Sequence, residues 1–326
     1  MENDKKTATQ TQVAKENHNK DNYITNANAL EQFRKHIYGV LGYDPESIEP
    51  DGKVHRFSTS AKAADKAGWY VCFQTAYASG ESYAGAFGDF RQGINDKWSL
   101  FNRDRLSKPE LISLSKRQSD AAKKAQKERV QEQQEAAEYS NRLWNESLPA
   151  SDSHPYLVRK KVKPFGLRQA GGTLLIPVLD ENGKIFSLQK IEADGRKLFQ
   201  KNGIVKGNFF TIGTLDGKLP VCICEGYATG ATIHQETGYP VVCCFGATNL
   251  VTVSEKIRKA YPCRKIIICA DNDAHLETEG KVNVGVQKAK EAAKAIEACL
   301  SIPPSPDGRS IDFNDLYLAQ LAQGGA

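Results

Sequence analysis

From Val221 onward, short apolar runs alternate with stretches of helical periodicity, and this pattern constrains the fold more than any other feature of the chain. The runs are "VCIC" (221–224), "VVCCF" (241–245), "KIIICA" (265–270) and a short one near "LSI" (300–302). The helical stretches fall at about 227–237, 253–260 and 284–300. Strands that alternate with helices imply a mostly parallel sheet, and such sheets collect function at the carboxyl ends of their strands. The run "IIICA" ends in two acids, Asp271 and Asp273. Side chains at i and i+2 of an extended segment share a face, so these charges repel unless a cation sits between them.

Two other loops carry acids. Glu225 follows "VCIC" and precedes Gly226, which is expected to let the backbone turn tightly into a helix. Near the end, "SPDGRSIDFNDLY" supplies Asp307, Asp312 and Asp315. Three such loops can converge on one or two divalent ions. Oxygen donors without accompanying His or Cys point to Mg2+ or Mn2+ rather than zinc.

The segment before these strands is basic. Residues 151–210 carry 11 Lys/Arg against 5 Asp/Glu, whereas residues 211–326 carry 11 against 13. A basic segment followed by an acidic one suits a polyanion binder that also holds metal; a solvated basic face without a ligand is the plainer alternative. Within it, "GGTLLIPVLDENGKIFSLQKIEADGRKLF" reads as a β-hairpin turning at Asp180-Glu181-Asn182-Gly183.

The first half is less regular. Residues 1–22 are polar and aperiodic, as in a disordered tail, and a helix is expected over 23–41 from Leu30, Phe33, Ile37 and Val40. Aromatic runs punctuated by Gly and Ser over 43–103 read as a small antiparallel module. Its Trp69, Tyr70, Phe73, Phe87, Phe90 and Trp98 are expected in the sheet core rather than as base-stacking platforms. Residues 104–147, rich in Ala, Gln, Glu and Lys, predict a helix of high propensity and low burial.

No apolar run approaches the roughly 18–20 residues that span a bilayer, and the first 23 residues do not resemble a signal peptide, so a cytoplasmic protein is expected. The eight cysteines contain no C-x-x-C spacing and mostly sit in strand-like runs; reduced core thiols are expected.

Strand–Glu–Gly–helix followed by a strand ending in Asp-x-Asp resembles the Toprim domain shared by DnaG-type primases, type IA and II topoisomerases, recombination mediators and a class of nucleases. "CEGYATGATIHQETGYPVVCCFGATNL" is similar to the primase version, and "LLIPVLDENGKIFSLQKIEADGRKLFQKNGIVKGNFFTIG" resembles the basic subdomain that precedes Toprim in those primases. "SIDFNDLY" resembles the late element that completes the metal site. The likeness covers about 155–318, with phage and conjugative-plasmid primases as nearest kin.

The resemblance implies a DNA primase making short primers on single-stranded DNA by metal-dependent nucleotidyl transfer. It implies Glu225, Asp271 and Asp273 as catalytic groups, with Asp312 joining them around Mg2+ or Mn2+ and no zinc. It implies Lys190, Arg196, Lys197, Lys201 and Lys206 on nucleotide or template, with Asp315 and Gly226 in supporting places. The implied partners are single-stranded DNA, NTPs and a separate replicative helicase or initiator, since "GTLDGKLP" lacks the spacing of a Walker A loop. A Toprim nuclease and a non-catalytic nucleic-acid-binding replication protein are the alternatives.

The expected architecture is α/β. A tail (1–22) leads to an α+β accessory module (23–103), a helical connector (104–150), a basic β-rich subdomain (151–214) and a Toprim domain with a parallel sheet (215–326). Two departures stand out. Residues 1–150 contain a single cysteine, Cys72, where DnaG-type primases carry a zinc ribbon, and "AHLETEGKVN" lengthens the link after Asp273.

Overall fold

The computed structural model describes residues 26–60, 65–77, 80–100 and 108–324. The expected tail over 1–22 lies outside them. The chain forms two compact units, Met1–Gln118 and Ser119–Ala326. Among the described residues, no helix is long and apolar enough to cross a membrane.

In the first unit, helix α1 (Asn26–Leu41) packs on an antiparallel sheet ordered β1 (His55–Phe57), β2 (Gly68–Tyr77), β3 (Gly80–Asp89) and β4 (Ile94–Ser99). The helical spacing of Phe33 and Ile37 places both in the core with Tyr70, Cys72 and Phe87. Strand alternation turns Phe73 outward and Phe90 sits in the turn after β3, so the expectation of an all-core set is corrected. Phe73 and Phe90 are more than half-exposed or nearly so, at 50% and 59%.

Helix α2 (Lys108–Glu146) is longer than any other helix of the chain described here and leads into β5 (Leu148–Pro149). Its end is not the low-burial rod the composition predicts. Ala136, Ala137 and Ser140 are buried, and Leu143 and Trp144 pack against Leu175, Ile185 and Leu188. Asn141 Nδ2 donates to the Ile185 carbonyl at 3.0 Å, and Arg168 Nη1 donates to the Trp144 carbonyl at 2.6 Å.

After helix α3 (Pro155–Lys160), strands β6 (Arg168–Ala170), β7 (Thr173–Leu179), β8 (Ile185–Ile191) and β9 (Lys197–Phe199) form an antiparallel sheet ordered β5-β6-β7-β8-β9. The predicted hairpin is β7–β8. One face of this sheet, through Leu174, Ile176 and Ile191, shares a core with the following α/β layer. Leu179 and Phe209 exchange two backbone hydrogen bonds of 2.9 Å, which ties the hairpin to that layer.

The second sheet runs β10 (Phe210–Ile212), β12 (Val241–Cys243), β11 (Val221–Cys224), β13 (Ile266–Cys269), β15 (Cys299–Ser301). Four strands are parallel as expected, but β10 pairs antiparallel with β12, so the sheet is mixed. Both faces are covered. Cys222 and Cys224 point toward helix α4 (Tyr227–Thr237), while Val221 and Ile223 point toward α5 (Ala247–Ala260) and α7 (Val284–Ala295). That explains why these strands read as unbroken apolar runs, each fully buried Val or Ile contributing roughly 1.5–3 kcal/mol. Cys72, Cys222, Cys224, Cys243, Cys244 and Cys269 are buried free thiols, whereas Cys263 and Cys299 are exposed.

A two-stranded ribbon closes the fold. β14 (Asn272–Asp273) pairs antiparallel with β16 (Ser310–Ile311), flanked by helices α6 (Ala274–Thr278) and α8 (Phe313–Gly324). The buried Asn314 docks α8 by donating from Nδ2 to the Lys160 carbonyl (2.7 Å) and Thr232 Oγ1 (2.9 Å).

Candidate metal centre

Glu225 immediately follows β11, and Asp271 lies two residues past β13, its parallel neighbour. Both acids therefore emerge at the same end of the sheet. Both residues are partly buried, and Glu225 Oε1 and Asp271 Oδ1 are fully so and have no hydrogen-bond partner in the protein. Buried polar atoms are nearly always paired, and an unpaired one costs about 1–3 kcal/mol, more when charged.

The electrostatics agree. Burial, and then the charge of Asp273, pushes the Glu225 carboxyl up to about 7, against a hydrogen bond from the Ala247 N–H. Burial, and then Glu225, Asp312 and Asp273, pushes Asp271 up to about 8, with Lys197 opposing. Four acids thus feel one another across a low-dielectric pocket. Two orphaned carboxylate oxygens in an all-oxygen set fit a hard divalent cation.

Neighbouring groups hold this arrangement. Ribbon pairing sets Asp273 opposite Ser310, whose hydroxyl donates to Asp273 Oδ1 at 2.9 Å. The long link after Asp273 is anchored by buried Asn283, which caps α7. Its Oδ1 accepts from the Val286 N–H (3.2 Å) and the Asp273 N–H (3.3 Å), and its Nδ2 donates to Asn272 Oδ1 (3.0 Å). The insertion therefore braces Asp273. Asp312 is held on both oxygens: Thr229 Oγ1 donates to Oδ2 at 3.0 Å and the Asp315 N–H to Oδ1 at 2.8 Å. Asp315 returns the contact by accepting from the Asp312 N–H at 3.4 Å and from Lys160 Nζ at 3.1 Å, a reciprocal cap on α8.

Gly226 serves differently from the expected tight turn. Its φ of −117° is open to any residue. A Cβ there would stand 4.0 Å from Lys197 Nζ, an ordinary van der Waals contact, so neither backbone angle nor crowding requires glycine; the position marks how near Lys197 comes to the acid-bearing loop. Asp307 is exposed and pairs with Arg309.

The five basic residues separate. Lys197 pairs with Ile191 across β8–β9, so it shares the face that looks toward the α/β layer and its acids. Lys190 pairs with Leu175 on the opposite face, donates to Gln200 Oε1 at 3.0 Å and lies 5.3 Å over the Tyr139 ring of α2. Arg196, Lys201 and Lys206 are exposed. Lys197 is the one of these whose charge registers at Asp271.

Thr229, Asn283, Ser310 and the Ala247 N–H escaped the sequence reading. Only Asn283 had a signal there, as an Asn directly before an apolar-periodic stretch.

Among the described residues, the His/Cys/Asp/Glu trio whose ligand atoms all lie within 4.8 Å is Glu49, Asp51 and His55, in the first unit. It is a candidate acidic metal-binding triad distinct from the Glu225 set. Asp51 is held down to about 2, first by its hydrogen bond from His55 and next by the Lys53 N–H.

The comparisons with known proteins fall on the same region. Residues 220–323 match the family described as the Toprim domain. Two Escherichia coli proteins, each described as DNA primase TraC, are 33% identical over 258 residues and 27% identical over 256. Each alignment covers 76% of this chain, and this chain spans 23% and 17% of the relatives' lengths. The primase fragment of the bacteriophage T7 primase-helicase is 18% identical over 55% of this chain and 74% of its own, with a TM-score of 0.41. The chain is thus a Toprim-domain protein related to DNA primases.

Proposed function

We propose that this chain is a primase that synthesises short primers on single-stranded DNA by metal-dependent nucleotidyl transfer. The observation that carries the reading is the pair of buried, unpartnered oxygens, Glu225 Oε1 and Asp271 Oδ1, at neighbouring parallel strand ends. The description of both E. coli relatives as DNA primases supports synthesis over cleavage as the reaction at such a site.

In this reading Glu225, Asp271 and Asp273 hold one or two Mg2+ or Mn2+ ions, and Asp312 adds its charge from the cap of α8. A cation bound there stabilises charge developing on the phosphate oxygens and the leaving pyrophosphate. Lys197 binds a phosphate from the facing sheet. Where Glu225 does not ligate an ion, its carboxyl, whose affinity for protons is raised by burial, would take the proton of the attacking 3′-hydroxyl. The template is single-stranded DNA, the substrates are NTPs, and strand opening falls to a separate helicase or initiator. The first unit acts as an accessory module that binds template or a partner.

The test is primer synthesis by the full chain on single-stranded DNA with NTPs and either ion. The expected result is template-dependent oligonucleotides from the native chain and none from Asp271→Asn. Cleavage of the template instead, or no product from folded native chain with either ion, overturns the reading.

A further inference from the structure

Phe245 is a bulky residue in the left-handed region, with φ 68°, and Gly246 follows at φ 148°. Such backbone is strained for an aromatic residue and marks a place where surrounding structure, and usually function, enforces it. The place is the carboxyl end of β12, against the acids. The Phe245 N–H donates to the Glu225 carbonyl at 2.7 Å, and two residues on, the Ala247 N–H bonds the Glu225 carboxylate.

The ring that this backbone projects meets Phe199 edge-on, with centroids 5.9 Å apart and planes at 83°. Phe199 belongs to β9, two residues after Lys197, and its pairing with Gln189 puts it on the same face. That face turns toward the acids, since Lys197 bears on Asp271 and approaches Gly226. Phe199 is nonetheless 40% exposed. One short edge strand therefore presents a cation and an open aromatic ring, side by side, to a pocket of carboxylates.

We infer that Phe199, braced by Phe245, is a stacking platform for the base of a nucleotide whose phosphates lie at Lys197 and the acidic site. This deepens the nucleotidyl-transfer reading and rests on it. Residues two apart on a strand are separated by about 6.6 Å, the scale of the ribose that divides a nucleotide's α-phosphate from its base. Every base offers a π-face, so the platform tolerates any of the four and adds affinity without selecting sequence. Leu198, between the two, points to the other face and takes no part.

The test separates base from phosphate. Binding of 2-aminopurine riboside triphosphate to the full chain is followed by its fluorescence, which stacking quenches, and inorganic tripolyphosphate competes as the ligand without a base. Both are measured with Mg2+ present. The native chain is expected to quench the probe. Phe199→Ala should lose the quench and weaken the probe's binding about tenfold, leaving tripolyphosphate affinity unchanged. Phe199→Trp should restore both. Phe245→Gly, which suits the left-handed backbone, should weaken the probe without lowering the affinity for tripolyphosphate. Equal binding of the probe by native chain and Phe199→Ala overturns the platform and leaves the nucleotide site standing. Equal losses for probe and tripolyphosphate in Phe199→Ala also overturn it, since the ring then acts only through the fold. If the native chain binds neither ligand, the nucleotidyl-transfer reading falls and takes the platform with it.

Discussion

Gly285 lies so close to Asp271 that a methyl group built on it would stand 2.6 Å from the Asp271 carbonyl oxygen and 3.2 Å from Glu225 Oε1. The first turn of α7 is thus seated directly against the acid-bearing loop, and backbone rather than a flexible side chain blocks the space. Gly285→Ala should force Asp271 aside at a stability cost of about 1–3 kcal/mol, as for other overpacked sites. Primer synthesis should fall much further than stability does. A thermal melt beside a Mn2+ titration checks this, and native-like metal affinity in the variant would refute it.

Metal-free stability should decline as pH rises. Ordinary values for Asp271 and Glu225 are 3.8 and 4.5, and the fold raises them to about 8 and about 7. Between those limits the folded chain keeps protons that the unfolded chain has released, so folding takes up protons and each pH step upward weakens it. The loss should begin above about pH 4 and be complete above about pH 8. Asp271→Asn should flatten the profile and raise stability at the alkaline end. Adding Mg2+ at pH 8 should stabilise the native chain and not the variant. Urea midpoints with EDTA from pH 5 to 9 decide it; a midpoint that climbs over that range contradicts the proposed cause.

Asp312 separates capping from charge. Both of its oxygens accept hydrogen bonds, from Thr229 Oγ1 and the Asp315 N–H, so it reads equally as a helix cap or as part of the acidic set. Asparagine caps as well as aspartate does. Asp312→Asn should therefore hold stability within about 0.5 kcal/mol, while primer synthesis drops at least tenfold and Asp271 loses a proton more readily. Undiminished synthesis by the Asn variant would reduce Asp312 to a cap.

Lys197 and Lys190 should behave differently although they lie only seven positions apart in the same basic segment. Lys197→Ala removes the cation facing the acids and should weaken nucleotide use about tenfold or more, with Asp271 shifting further upward. Lys190→Ala removes a contact over Tyr139 on the other face and should cost about 0.5–1 kcal/mol of stability with nucleotide use intact. Single-strand binding by the native chain should also weaken steeply with salt. Equal kinetic defects in the two variants would show that the two sheet faces do not divide their roles.

The strand ends carrying Glu225 and Asp271 were legible because buried parallel strands read as unbroken apolar runs, and an acid at the end of such a run has no folding purpose. The edge strand β10 was not. Phe210–Ile212 is three residues long, pairs antiparallel, and has no periodicity to distinguish it from the basic segment before it. The division of Lys190 from Lys197 depends on the register of β8 against β9, which a sequence of alternating residues around a turn does not set by itself. Asn283 fell inside what reads as a loose insertion, and only the fold makes that link a brace.

The end of α2 decides where the chain can be cut. Composition suggests a cut near Ser151, after the helix, on the view that the helix buries little. The structure packs Leu143 and Trp144 against Leu175, Ile185 and Leu188 of β7 and β8, buries Ala136, Ala137 and Ser140 in the preceding turns, and fastens the helix through Asn141 and Arg168. A chain beginning at Ser151 uncovers Leu175 and Leu188, both now fully buried, and leaves the Ile185 carbonyl without the Asn141 amide. Such losses resemble two or more large-to-small core substitutions, at about 2–5 kcal/mol each. That chain should aggregate or melt well below the longer one. A chain beginning at Ser119, where the second unit begins, keeps the whole docked stretch and should fold with the acidic site intact. It should bind Mn2+ as the full chain does and retain some synthesis on short templates. Long single strands should bind it less tightly if the first unit contributes a second, tethered contact. Circular dichroism melts of the two truncations, side by side, test the docking. A Ser151 chain as stable as the Ser119 chain would mean that the packed helix end contributes nothing to the fold.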